Sequence, residues 1–136
     1  VLSMVLIFTS GCDLYNPNYL RSDEYDFDFC KLIDANDLQN EFIKFKVHYD
    51  EYLGSSIRTM GVYVRAENPN GGYYNFILCG EDGASDYNFI EIIYEGDYPN
   101  PGSIILVTGV LDKYEEDGNL FDCIICDSLE KIEIEE

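Results

Sequence analysis

Thiols have the most chemistry available to them in this chain. There are five, Cys12, Cys30, Cys79, Cys123 and Cys126, and the last two form a CxxC. That spacing gathers two sulfurs for a metal or a redox bond only on a turn or at a helix N-terminus. In a strand, side chains alternate between faces, so positions three apart diverge. Leu120 to Cys126 reads as a strand, and the two thiols are expected to behave as small apolar side chains. Spacing does not choose among the pairings open to the four later cysteines, although a Cys79–Cys123 disulfide between strands suits an exported protein. His48 is the sole histidine, which removes any site needing two imidazoles. Its place before a helical turn suits a solvated or capping residue. The chain contains no GxSxG, HExxH or phosphate-binding glycine loop. The adjacent acids Glu81-Asp82 and Glu115-Glu116 fall in predicted hairpin turns, where water keeps both carboxylates ionised, whereas acid–base work needs one raised by burial. These residues predict no enzyme, with no catalytic residues, no metal ligands and no cofactor.

Cys12 is different. Seven of the first eight residues, Val1 to Phe8, are apolar, and Thr9-Ser10-Gly11 leads directly into Cys12. A membrane span needs about 20 apolar residues, so this run is roughly half a span and reads as the core of an export signal. Ser10 and Gly11 are small enough for a peptidase groove, and the Cys12 thiol is the acylation site of a lipobox, with Thr9 standing where leucine is usual. Residues 1–11 are therefore expected to be a lipoprotein signal peptide, truncated at its start because neither a basic segment nor Met precedes the apolar run. Two or more acyl chains, at about 0.8 kcal/mol per buried CH₂, hold a protein on a membrane where one would not. In the bacterial lipoproteins this segment resembles, an aspartate after the cysteine, here Asp13, retains the protein on the cytoplasmic membrane. The resemblance implies a lipid-anchored chain on the outer, extracytoplasmic face, with the membrane as its first partner.

Removal of the signal leaves 125 of the 136 residues, enough for one domain with a modest core. Hydrophobic residues make up 46%, with twelve Tyr and eight Phe, a composition that suits strands. The 27 acidic against 8 basic residues give a net charge of −19. Such a field repels phosphate backbones, whose binding relies on Lys and Arg releasing counterions, so nucleic acid is excluded as a partner. A solvated acidic exterior that keeps an exported protein soluble accounts for the charge.

Residues 12–35 read as the lipidated cysteine and an acidic tether, turn-prone at Tyr15-Asn16-Pro17-Asn18 and extended through Asp23 to Asp28. Asp23, Asp26 and Asp28 lack the glycine and the later glutamate of a calcium loop and are read as solvated acids. Residues 36–136 read as the domain. Phe42 to Val47 is a first strand or the end of a short helix, and Tyr49 to Gly54 a helical turn closed by glycine. Five strands follow: Ile57 to Glu67, Tyr73 to Cys79, Phe89 to Tyr94, Ser103 to Tyr114 and Leu120 to Cys126. The tail from Asp127 offers a terminal strand. Turns lie at Asn68 to Gly72 and Glu116 to Asn119, and the Pro99/Pro101 segment forbids regular pairing. The expected fold class is all-β (mainly β): a small five-stranded OB-fold-like Greek-key barrel with a short helical turn before its first strand. Gly61 and Gly109, each in mid-strand, favour a barrel over a β-sandwich because glycine lets a strand bend between two sheets.

Tyr49-Asp50-Glu51-Tyr52-Leu53-Gly54 leading into Ile57-Arg58-Thr59-Met60-Gly61 resembles the start of the domain in a group of uncharacterised bacterial lipoproteins with an OB-fold-like domain. Asp97 to Gly102, Val107-Thr108-Gly109-Val110 and Tyr114 to Gly118 resemble its later half, so the likeness spans roughly residues 49–126. Those lipoproteins carry adjacent cysteines after the second strand. Here Asp82-Gly83-Ala84-Ser85-Asp86-Tyr87 has none, so a thiol or metal role tied to that pair is not carried over. The expected function is a membrane-anchored, non-catalytic binding or assembly module with an unidentified protein or small-molecule partner. Tyr63, Tyr73 and Tyr74 are its candidate binding face. The alternative is a lipoprotein handling Ca or Zn for a transporter through its acidic loops or thiols.

Overall fold

In the computed structural model, which describes residues 15–80 and 86–133, helix α1 (Ala35–Val47) has the clearest local cause. The Asp34 side chain caps it, accepting from the backbone N–H of Asn36 at 2.7 Å and of Asp37 at 3.4 Å. Such a cap is worth about 1 kcal/mol. Lys44 and Lys46 lie in the last turn, where positive charge offsets the helix dipole. Leu38, Phe42 and Phe45 recur at helical spacing and form the face that packs on the core. Residues 42–47 are therefore helical rather than a first strand.

Around this helix lies one sheet of six strands: β1 (Phe27–Asp28), β2 (Ser56–Glu67), β3 (Tyr73–Leu78), β4 (Phe89–Ile93), β5 (Ile104–Glu116) and β6 (Asn119–Lys131). The fold is mainly β as expected, and the described residues hold one strand more than the five expected. The hydrogen-bonded order is β1-β2-β3-β4-β6-β5, and β2 also pairs with β5. β4 runs parallel to β6 and β1 parallel to β2; the other pairs are antiparallel. The expected fifth strand runs through the tail as far as Lys131.

The two mid-strand glycines sit where neighbouring backbone comes too close for a side chain. Gly61 lies where β2 passes from pairing with β5 to pairing with β3, and a Cβ there would be 2.1 Å from the Leu78 carbonyl oxygen. Gly109 lies at the bulge in the β5–β6 ladder, and a Cβ there would be 2.2 Å from the Ile125 carbonyl oxygen. A neighbouring backbone cannot swing aside as a side chain can, so glycine is required at both positions.

The extra strand β1 comes from the segment expected to be a free tether. Leu20, Phe27 and Phe29 are buried in the core. Phe27 and Phe29 pack on Phe45 with ring centroids 5.0 and 5.3 Å apart, and Phe29 on Phe42 at 5.1 Å. Each phenyl side chain taken from water contributes about 2 kcal/mol, a gain an extended linker would forgo. Of the acids expected to be solvated, Asp23 is exposed and Asp26 partly so, whereas Asp28 is not. Asp28 is only 2% exposed and receives Arg58 in a two-pronged contact, Nε to Oδ1 at 3.1 Å and Nη2 to Oδ2 at 2.9 Å. Asp26 accepts from the Ser56 backbone N–H at 3.0 Å and forms an ion pair with Arg21.

Gly61→Ala and Gly109→Ala are each expected to cost about 2 kcal/mol or more, the range of overpacking substitutions, as a lowered urea midpoint with unchanged slope. The Ser56 N–H bond, reinforced by Arg21 against the opposing effect of burial, holds the Asp26 carboxyl below its ordinary pKa. Its stabilisation is thus complete above about pH 4 and lost as pH falls through its lower folded value. Urea titrations of Asp26→Asn against the parent should show the mutational cost at pH 6 shrink as the pH is taken below 4.

Candidate functional site

Tyr49, just beyond α1, ties the helix to the strands it covers. Its buried hydroxyl donates to the Cys123 carbonyl and accepts from the Asp112 N–H at 3.2 Å, linking β5 and β6. The position of α1 delivers Lys46 to the Lys113–Asp122 pair of the β5–β6 ladder. There Lys46 Nζ lies 3.3 Å from Asp122 Oδ2, and Lys113 Nζ lies 3.1 Å from Asp122 Oδ1 and also pairs with Asp50. One carboxylate thus answers two ammonium groups. Burial pulls the Lys46 pKa down, and Asp122 opposes that shift.

Above this trio the β5–β6 hairpin extends beyond β4, because the β4–β6 ladder covers only Glu91–Ile93 and Cys123–Ile125. The resulting cleft has a volume of about 660 Å³ and is walled by β2–β3 on one side and the hairpin on the other. Its apolar walls are Val64, Phe76, Phe89, Leu120 and Phe121. Arg65 joins Lys46 and Lys113 as its cations, and Glu91 and Asp122 are its acids.

Two tyrosine–carboxylate bonds connect the walls. Tyr74 Oη donates to Glu116 Oε1 at 2.6 Å, and Tyr114 Oη donates to Glu91 Oε1. The first pushes the Tyr74 phenol up to about 12. Burial raises the Glu91 carboxyl, with the Tyr114 bond acting in the opposite sense. Tyr114 stacks on Phe121 at 5.4 Å, which fixes the aromatic wall of the hairpin.

The three candidate tyrosines separate. Tyr63 is a core residue, only 1% exposed, stacked on Tyr98 at 5.5 Å with its hydroxyl on Asn75. It cannot offer contact area, because its position in β2 faces the same side as the buried Ile57 and Thr59. Tyr73 is about half exposed, with the Arg65 guanidinium 4.1 Å from its ring centre. Tyr74 is half-buried beside the cleft in its bond to Glu116.

The thiols do not meet. Cys30, Cys79, Cys123 and Cys126 are all free, so no Cys79–Cys123 disulfide is present. Cys126 belongs to the core cluster and Cys123 lies outside it. Burial drives the Cys79 and Cys126 thiols up to about 12 and Cys123 to about 11, which makes them poor nucleophiles. His48 caps the C-terminus of α1, with Nδ1 2.8 Å from Glu51 Oε2. Among the described residues no group of three or more His, Cys, Asp or Glu is placed to hold a metal, and no helix is long and apolar enough to cross a membrane. Cys12 and the Glu81-Asp82 pair lie outside the described residues.

Lys46, Arg65, Lys113 and the aromatic walls were not singled out from the sequence. The signal available was scarcity, since each base among only eight in the chain stands out against 27 acids. No protein-family model and no curated protein matches this chain, so its functional reading rests on the fold and on this cleft.

Proposed function

We propose that the chain is a lipid-anchored, extracytoplasmic, non-catalytic binding module on a five-stranded OB-fold-like Greek-key barrel, with the cleft as its binding site. The strand pairings support the barrel. They run β2-β3-β4-β6-β5 and return to β2, with β4 and β6 as the parallel pair. The Tyr74–Glu116 bond joins the two hairpin arms across the cleft. β1 is then an addition at the edge of β2. The observation that carries the binding reading is the cleft itself, with apolar walls, a few polar groups and a volume in the range of small-molecule sites. Among the described residues the thiols of Cys79, Cys123 and Cys126 are driven up by burial and the one histidine is engaged by Glu51, so neither is set up as a nucleophile–base pair.

The anchor rests on Thr9-Ser10-Gly11-Cys12. Tyr15 is already docked, donating to Glu41 Oε2 at 2.7 Å and stacked on His48. An acylated Cys12 therefore holds the domain within about 10 Å of the membrane surface, from the reach of an extended chain. This domain sits against the bilayer, in contrast to one on a long tether.

Labelled palmitate is expected to attach to the full-length protein in a bacterial host, and Cys12→Ser to move the protein from the membrane to the soluble fraction. An unlabelled product that stays in place after that change would refute the anchor. For the cleft, at least one of two naphthalene dyes, neutral N-phenyl-1-naphthylamine or anionic 8-anilino-1-naphthalenesulfonate, should bind saturably at one site. Phe121→Ser should weaken that binding about tenfold, the size expected for losing an aromatic wall. Saturable fluorescence from neither dye would remove the binding reading.

A further inference from the structure

Charge is distributed unevenly over the clefts of this molecule. In four other surface clefts the acidic side chains equal or outnumber the basic ones, as with Arg21 and Asp26 in one, or Lys44 against Asp37 and Glu41 in another. In the large cleft three cations face two acids, in a chain whose net charge is −19. Seven of the eight cations are committed to carboxylate or carbonyl oxygens. Arg21, Lys44, Lys46, Arg58, Lys113 and Lys131 each make a salt bridge with a carboxylate, and Lys31 donates to the Arg21 carbonyl. Arg65 makes no salt bridge with any described carboxylate. It lies exposed over the ring of Tyr73 and gives one hydrogen bond to the Tyr63 hydroxyl, an arrangement that holds the guanidinium plane in place with its positive charge unanswered by any described carboxylate. A fork of N–H donors with a charge is the group that recognises carboxylate, sulfonate or phosphate oxygens.

Building on the binding-module reading, we propose that the cleft takes a small organic anion. The ligand carries one carboxylate, sulfonate or phosphate on an apolar, ring-sized body, with the anionic group on Arg65 and the body against Phe76 and Phe121. Cleft size argues for a small molecule, since about 660 Å³ suits one ligand and no folded partner. Charge argues the same way. A polyanion would meet the field of 27 acids along its whole length, whereas a single anionic group can enter a cleft where cations are in excess. Lys46 and Lys113 add to the local potential while staying bound to Asp122.

The two dyes make the test, because they share the anilinonaphthalene body and differ in the sulfonate. The anionic dye is expected to bind the purified chain about tenfold more tightly than the neutral one, the value of one charge-assisted hydrogen bond. Arg65→Gln should remove most of that difference by weakening the anionic dye alone. The variant should fold as the parent does, since Arg65 is exposed and makes no salt bridge. A second variant, Lys113→Gln, should weaken the anionic dye by a smaller factor. Equal affinity for both dyes, or an Arg65→Gln protein that keeps the full preference, would overturn the anion assignment and leave the binding module standing. An anionic dye that binds the Phe121→Ser variant as tightly as the parent would overturn it too, by placing the dye elsewhere.

Discussion

The packing of α1 against the sheet is the constraint from which the rest follows. Phe42, Phe45 and Tyr49 present one aromatic ridge, with the Phe45 and Tyr49 rings meeting edge to face at 5.6 Å. The hydroxyl at its end is held by the backbones of both β5 and β6. A ring that buries its body and satisfies its polar tip gains apolar burial without leaving an orphaned oxygen. The same contact sets the height of Lys46, one turn earlier on the helix, and so brings Lys46, Asp122 and Lys113 together at the foot of the cleft. Phe27 and Phe29 complete the ridge from the other side, which is why the N-terminal segment folds with the domain.

The acidity of the chain is managed differently inside and out. Most carboxylates face solvent, while Asp28 is buried and chelated by Arg58 and Asp122 is shared by two lysines. A buried carboxylate left without such a partner would be strongly destabilising. Arg58, Lys46 and Lys113 thus serve as counterions to acids that are buried or largely covered. Glu91 and Glu116 lack a cation and are answered by the phenols of Tyr114 and Tyr74. A phenol donates one hydrogen bond without adding charge, and so joins the two walls while leaving the balance of the cleft to its bases.

Much of the β architecture was legible along the chain. Alternation gave the positions of β2 to β6, the Asp117-Gly118 pair marked the β5–β6 turn, and Gly61 and Gly109 marked mid-strand positions expected to bend, which the structure shows to be close backbone approaches. The opposition of Cys123 and Cys126 followed from period two alone. These features depend on each residue and its near neighbours, and that is why they could be read. Tyr63 shows the limit. Period two says that it shares a face with Ile57 and Thr59, and only the finished sheet says that this face is the interior.

The sequence by itself determined where the strands lie, how they turn, the overall negative charge and the terminal Thr9-Ser10-Gly11-Cys12 pattern, because composition and local period carry that information. Tertiary structure alone decided that the acidic segment before α1 is core, that β1 adds a sixth strand, and that Lys46, Arg65 and Lys113 share one cleft. Those residues are up to 67 positions apart, and no local rule links them. What joins them is the coiling of the sheet and the docking of a single helix, both set by how large side chains fit together in space.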